Sequence, residues 1–310
     1  MSEEGTDAQN QEHELWEEVE RTSGADRARA LTALGRIYWE RNKYKDSLGY
    51  VEAARDLYLE AGREDYLEEL TDVNFGIMNN LDMLDRAKDA AEAAGEVIAL
   101  YRETDHPMLG ELLRDQGRYW FAAGEYEKSI VAHQEGATYP DPDRTELQTG
   151  IDTLNLGMSL KQLDRFDEAL DQIYEALKWF KKLKEPFWVS RCHGELAEIY
   201  FKLGLPDQTE EWSRKALDFA ELTGDGRWQY ILNYFLGVAK KIKGEIDAAD
   251  DLLEKAKAQA ILFNIDWNYV VKIEKEIAEI EVIRGHVSAA NEIFRRVATI
   301  EETLLASLEL

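Results

Sequence analysis

Cysteine is almost missing from this sequence. Cys192 is the only one in 310 residues, which excludes an intrachain disulfide and fits a reducing compartment. Proline is scarce too: Pro107, Pro140, Pro142, Pro186 and Pro206 are all five, each at an expected break or first helical turn, where a missing N–H costs little. No apolar run approaches the ~18 residues that a membrane helix needs. The opening MSEEGTDAQNQEHE is acidic where a signal peptide would be basic and then apolar. The cytoplasm is the expected location. Cations are in short supply, 37 Lys and Arg against 63 Asp and Glu, for a formal charge of −26. A field of that sign disfavours nucleic acid and anionic membrane as partners. The acid excess reads as a solvated surface that keeps a long chain soluble.

Catalytic patterns are lacking as well. His13, His106, His133, His193 and His286 never pair at i,i+4, so no two-histidine metal face forms on a helix. Cys192 and His193 are adjacent, which on a helix turns them about 100° apart. There is no GxxxxGK[ST] and no GxSxG stretch. The sequence therefore predicts no catalytic residues, no metal and no cofactor, and a protein that is not an enzyme.

What is present is a repeat. Residues 150–183, GIDTLNLGMSLKQLDRFDEALDQIYEALKWFKKL, hold two amphipathic helical patterns around a break at Leu163-Asp164-Arg165. Aligned to Gly157, the pattern recurs at Gly35, Phe75, Gly117, Gly157, Ala197, Gly237 and Ala278, 40 to 42 residues apart. Twelve residues later stand Ser47, Ala87, Ser129, Ala169, Thr209, Ala249 and Ala290. Seven further on are Ala54, Ala94, Gly136, Ala176, Ala216, Ala256 and Val297. Small residues in register let two antiparallel helices approach closely. Bulky groups such as Tyr44, Leu84, Tyr126 and Phe166 fill the space beside the crossing. Gly124, Gly204, Gly244 and Gly285 share one slot just past each first helix, as a left-handed C-cap requires. Residues 1–11 lack an apolar period and read as a disordered acidic tail; 12–27 read as a capping helix, and 28–310 as one array.

These columns resemble the tetratricopeptide repeat superfamily, with small residues at the eighth, twentieth and twenty-seventh positions of seven units spanning about residues 28–308. The period near 40 is similar to the kinesin light chain type and the Rap-type peptide receptors. The resemblance implies an all-α, right-handed solenoid whose first helices line a concave groove. At the positions it assigns to that groove stand ten cations: Arg29, Arg36, Arg114, Arg118, Lys161, Arg191, Lys202, Lys241, Lys272 and Lys275. Six acids accompany them: Glu40, Glu69, Asp72, Glu111, Glu198 and Glu279, a balance of +4 in a chain of −26. The expected ligand is a protein or peptide segment that is acidic or bears a carboxylate. Arg114, Arg118, Phe121, Asn155, Lys161, Lys202 and Lys241 are its candidate binding residues. The competing reading of Arg114 and Arg118 is pairing with Glu111 and Asp115 on a solvated surface.

The final helix keeps an apolar stripe, Ile293, Val297, Ile300, Leu304 and Leu308, where an ordinary array ends in a polar cap. It either docks on a partner or a second copy, making a homodimer, or folds back on the last repeat. The leading function is a peptide-binding interaction scaffold. The alternatives are an intracellular sensor of a signal peptide acting through a separate effector, or a structural subunit of a larger assembly.

Overall fold

The 40-residue pattern folds into seven antiparallel helix pairs preceded by one extra helix. The computed structural model describes residues 3–141, 143–223, 226–265 and 267–308, and among them no strand occurs. Pro142 lies outside the described residues. Helix α1 is Glu3–Arg21. The pairs are α2 (Gly24–Glu40) with α3 (Tyr44–Gly62), α4 (Leu67–Met83) with α5 (Ala87–Glu103), and α6 (Leu109–Ala122) with α7 (Tyr126–Ala137). There follow α8 (Glu146–Gln162) with α9 (Phe166–Leu183), α10 (Pro186–Lys202) with α11 (Pro206–Thr223), α12 (Gly226–Ile242) with α13 (Ile246–Leu262), and α14 (Trp267–Ile283) with α15 (Val287–Leu308).

The small-residue columns do what their register predicts. A Cβ at Gly157 would meet Ile173 Cγ1 at 2.8 Å and the Ala169 carbonyl at 3.3 Å. The same construction at Gly35 meets Val51 Cγ1 at 2.7 Å, and at Gly237 meets Leu253 Cγ at 2.8 Å. Only a residue without a side chain lets the second helix come this close. The +12 column adds a bond in the first pair, where Ser47 Oγ donates to the Gly35 carbonyl at 2.8 Å.

Every pair turns through one left-handed residue: Asn42, Asp85, Gly124, Asp164, Gly204, Gly244 and Gly285, with φ between 56° and 81°. Glycine was the expected occupant; asparagine and aspartate fill the slot in three pairs because their short polar side chains tolerate it. Asp85 also corrects the register of the second pair. Leu84 caps α4 rather than heading α5, which starts at Ala87. The residues equivalent to Gly157, Ala169 and Ala176 are therefore Met78, Ala90 and Val97, three places beyond Phe75, Ala87 and Ala94. Met78 breaks the small-residue column at the position that would have marked it.

The N-terminus is a second correction. Where an irregular tail was expected to residue 11, α1 is helical from Glu3. It is tied down by Glu12, which accepts from Tyr38 Oη at 2.8 Å and from Arg41 Nη1 at 2.5 Å. Val19 is buried, and Trp16 sets its ring edge-on to Tyr50 at 5.6 Å.

The chain separates into two units: residues 1–144 with 162–164, and residues 145–161 with 165–310. The first holds α1 to α7 around Leu34, Tyr58, Met78, Val97 and Leu113. The second holds α8 to α15, with Leu253, Ile273, Ile277 and Ile280 among its buried residues.

The apolar stripe of α15 turns inward. Val297 is 2% exposed, and Ile293 and Ile300 are half-buried. Arg296 bridges to Glu274 at 2.7 Å, and Lys275 to Glu301 at 2.7 Å, binding α15 to α14. Val297 is buried within the chain, and Ile293 packs against the core of its unit. The side chains of Leu304 and Leu308 lie outside the described residues.

Candidate functional site

Several of the cations expected in the basic groove are engaged by carboxylates of the chain itself. Arg114 is buried between the two glycines that let α6 and α7 meet, Gly110 and Gly136. Its guanidinium donates to the Gly136 carbonyl at 2.9 Å and to Asp141 Oδ2 at 2.7 Å, which ties the stretch after α7 to α6. Arg118 is exposed beside Asp115 at 3.4 Å and over the Tyr119 ring at 5.1 Å. Phe121 packs on Tyr126 across its own turn at 5.6 Å, and Asn155 is half-buried. Lys161 is buried, donating to Glu195 Oε2 at 2.6 Å and also to Glu198. Lys241 donates to both Glu276 and Glu279. Lys202 lies 3.8 Å from Glu198 and over the Phe166 ring.

A rule runs through these pairs. The cation of one first helix binds carboxylates 34 to 38 residues on, which is the same face of the next first helix. Glu195 and Glu276 were outside the positions counted as groove, and they halve its surplus from +4 to +2. Burial pushes the Glu195 carboxyl up, but Lys161 and Arg191 more than offset this and hold it below the usual range. The arrangement fastens repeats to each other; a carboxylate ligand would find these cations occupied.

An open site exists in the first unit. A cleft of about 450 Å³ lies along α2 and α4, within the size range of ligand sites. Trp39 and Phe75 supply apolar walls, Arg36 and Asp72 face each other at 3.5 Å on the rim, and Asn79 and Asn80 supply carboxamides. Asn80 is 1% exposed. Its Nδ2 donates to Ser47 Oγ at 3.0 Å and to the Gly76 carbonyl at 2.9 Å, whereas its Oδ1 has no partner. A buried acceptor left unpaired is costly, and such a group at a cleft suits a donor arriving from outside. Sequence reasoning missed Asn79 and Asn80. The signal was a carboxamide inside the apolar stripe of Val73, Ile77 and Leu81, hidden by the three-residue slip of this pair.

Cys192 is buried, and burial pushes its thiol up to about 12, leaving it protonated and unreactive. Among the described residues no group of three or more His, Cys, Asp or Glu is placed to hold a metal ion. No helix among them is long and apolar enough to cross a membrane.

Comparison with known proteins agrees with this architecture. Residues 151–222 match the tetratricopeptide repeat family model. No curated protein matches the chain in sequence. In structure it is similar to the apo form of RapI, with a TM-score of 0.64 at 14% identity over 89% of this chain and 77% of that one. It is also similar to a signal transduction ATPase with numerous domains bearing a tetratricopeptide repeat sensor, from Pyrococcus horikoshii (TM-score 0.68, 13% identity, 92% of this chain and 43% of that one). A third likeness is to the nearly identical repeats of a putative kinesin light chain from Podosopora anserina (TM-score 0.50, 14% identity, 63% and 96%). At such identities the likeness concerns the fold.

Proposed function

We infer function from one premise: the chain is a tetratricopeptide-like repeat protein, an all-α solenoid of stacked helix pairs. The reading is an interaction scaffold without catalytic chemistry, which takes an extended peptide segment in the cleft along α2 and α4. The observation that carries it is the unpaired Oδ1 of Asn80 in a cleft whose other polar groups include Asn79, Arg36, Glu40 and Asp72. A peptide N–H supplies the donor that Asn80 lacks, and Trp39 and Phe75 take an apolar side chain. Arg36 stands against two lining acids, Asp72 and Glu40, so the cleft disfavours an acidic ligand. The withdrawal of Arg114 and Lys161 into ion pairs removes the basis for an acidic ligand.

The test uses peptides selected from a displayed random library on the intact chain. Arg36→Glu combined with Asn79→Ala alters exposed or half-buried groups only, so unfolding temperature stays put. Affinity for the selected peptides should fall by about tenfold or more, the equivalent of ~1.4 kcal/mol. Unchanged affinity in this variant sinks the reading.

A further inference from the structure

The second unit has a cleft that the interaction reading leaves unused. It lies between α9 and α11 over the start of α10, with a volume of about 430 Å³. Three lysines, Lys181, Lys184 and Lys215, and one acid, Glu185, line it. Lys215 pairs with Glu211 at 2.5 Å, but neither Lys181 nor Lys184 has a carboxylate at ion-pair distance among the described residues. In a chain with 63 acids to 37 Lys and Arg, where first-helix cations are matched across repeats, two unpaired ammoniums on one cleft stand out.

The floor adds two independent features. His193 is 9% exposed and its Nε2 has no hydrogen-bond partner. Burial pushes its pKa down to about 4, with the Lys181 and Lys215 charges adding to the effect, so the ring is neutral. Its bond to the backbone of Lys215 favours the protonated form, as for a ring that donates to a carbonyl. That leaves Nε2 as an acceptor. Helix α10, 17 residues long, begins at Pro186 with no side chain capping it. Pro186 lines the cleft, so the positive end of α10 adds to the lysines. Phe219, Pro186 and Val189 form the apolar walls, over the fully buried Phe180.

We propose that this cleft binds a small phosphate monoester whose ring body carries a hydrogen-bond donor, as a nucleoside monophosphate does. Two uncommitted ammoniums match a group of charge near −2 better than a single carboxylate. Phe219 takes the ring, and His193 Nε2 accepts from its amino or hydroxyl group. The site is on other helices than the peptide cleft and stands or falls separately from it.

Calorimetric titration of the intact chain with adenosine 5′-monophosphate and phenyl phosphate tests the assignment, with adenosine and inorganic phosphate as controls. The expected result is saturable binding of both esters, each control weaker by about tenfold or more. Lys181→Gln with Lys184→Gln changes exposed side chains only and should weaken both esters by at least about tenfold. His193→Phe should weaken the nucleotide and spare phenyl phosphate, which has no ring donor. No saturable binding of either ester, adenosine binding as well as its monophosphate, or an unaffected lysine variant overturns the proposal. A His193→Phe chain that loses both esters equally while folded overturns the acceptor role.

Discussion

The two units treat a cation near the helix crossing in opposite ways: Arg36 stands one place after Gly35, and Lys161 four places after Gly157. In the first, Arg36 of α2 meets Asp72 of α4 at 3.5 Å, with their side chains 73% and 61% exposed. The space beside them stays open as a cleft. In the second, Lys161 of α8 meets Glu195 of α10 at 2.6 Å, with both side chains under 5% exposed, and the face is closed. Burial lowers the affinity of Lys161 for its proton, but the two glutamates more than restore it and its pKa ends above the usual value. Both cations meet an acid on the next first helix; what differs is burial, and only the solvated pair leaves its cation within reach of a ligand. Position within the repeat gives the direction of a side chain; the neighbouring repeat decides its use.

The largest effect that would break this contrast is Lys161→Met. It strands Glu195 in the interior with only Arg191, 3.2 Å away, for compensation. Losing one partner of a buried pair costs ~3–5 kcal/mol, readable as a fall in the urea midpoint of unfolding. A loss below ~1 kcal/mol would make the pair equivalent to the exposed one of the first unit. Glu195 has a folded pKa below its unfolded value, so its contribution is present above the unfolded pKa and fades as pH falls through the folded one. The variant should accordingly lose less stability than the parent on acidification.

His133 supplies the next test, from the first unit. It stands sixteen residues after Gly117, the place held by Ile173 and Leu253 in other pairs, and its ring lies against Gly117 with both nitrogens unpartnered. Burial pushes its pKa down to about 4 from 6.5, and the nearby guanidiniums of Arg114, Arg144 and Arg118 add to this. The unfolded chain therefore takes up this proton first. Stability is intact above pH 6.5 and falls as pH drops toward 4, by about 3 kcal/mol for a shift of this size. His133→Ile should remove that loss and stabilise the chain at pH 5 relative to pH 8. Equal pH profiles for the two proteins would mean that His133 is paired in solution.

The folding unit was legible in the sequence because close helix crossing needs small residues, and Gly35, Gly157 and Gly237 sit in visible columns. The turns were half legible: four glycines announced the left-handed slot, and Asn42, Asp85 and Asp164 filled it without announcing it. The binding face was not legible. Arg114 and Lys161 stand at positions that point to a groove, yet their fate depends on Gly136, Asp141 and Glu195, partners 22 to 34 residues away. Charge counted along one helix cannot register a carboxylate on the next. The stripe of α15 was open to two readings for the same reason, since the surface that covers Val297 comes from the chain's own folding.

The smallest effect sharpens the comparison from the open side. Arg36→Ala removes a cation whose carboxylate partner is solvated and 3.5 Å away, so neither charge is left buried when the other goes. Exposed pairs contribute little, and the change in unfolding free energy should stay within ~0.5 kcal/mol. Set beside Lys161→Met, this gives two cations at related positions whose removal differs several-fold in cost, the difference being the solvent excluded from one of them. A loss above ~1.5 kcal/mol in Arg36→Ala would mean that the rim is held shut in solution and that the α2–α4 cleft is not free to receive a ligand.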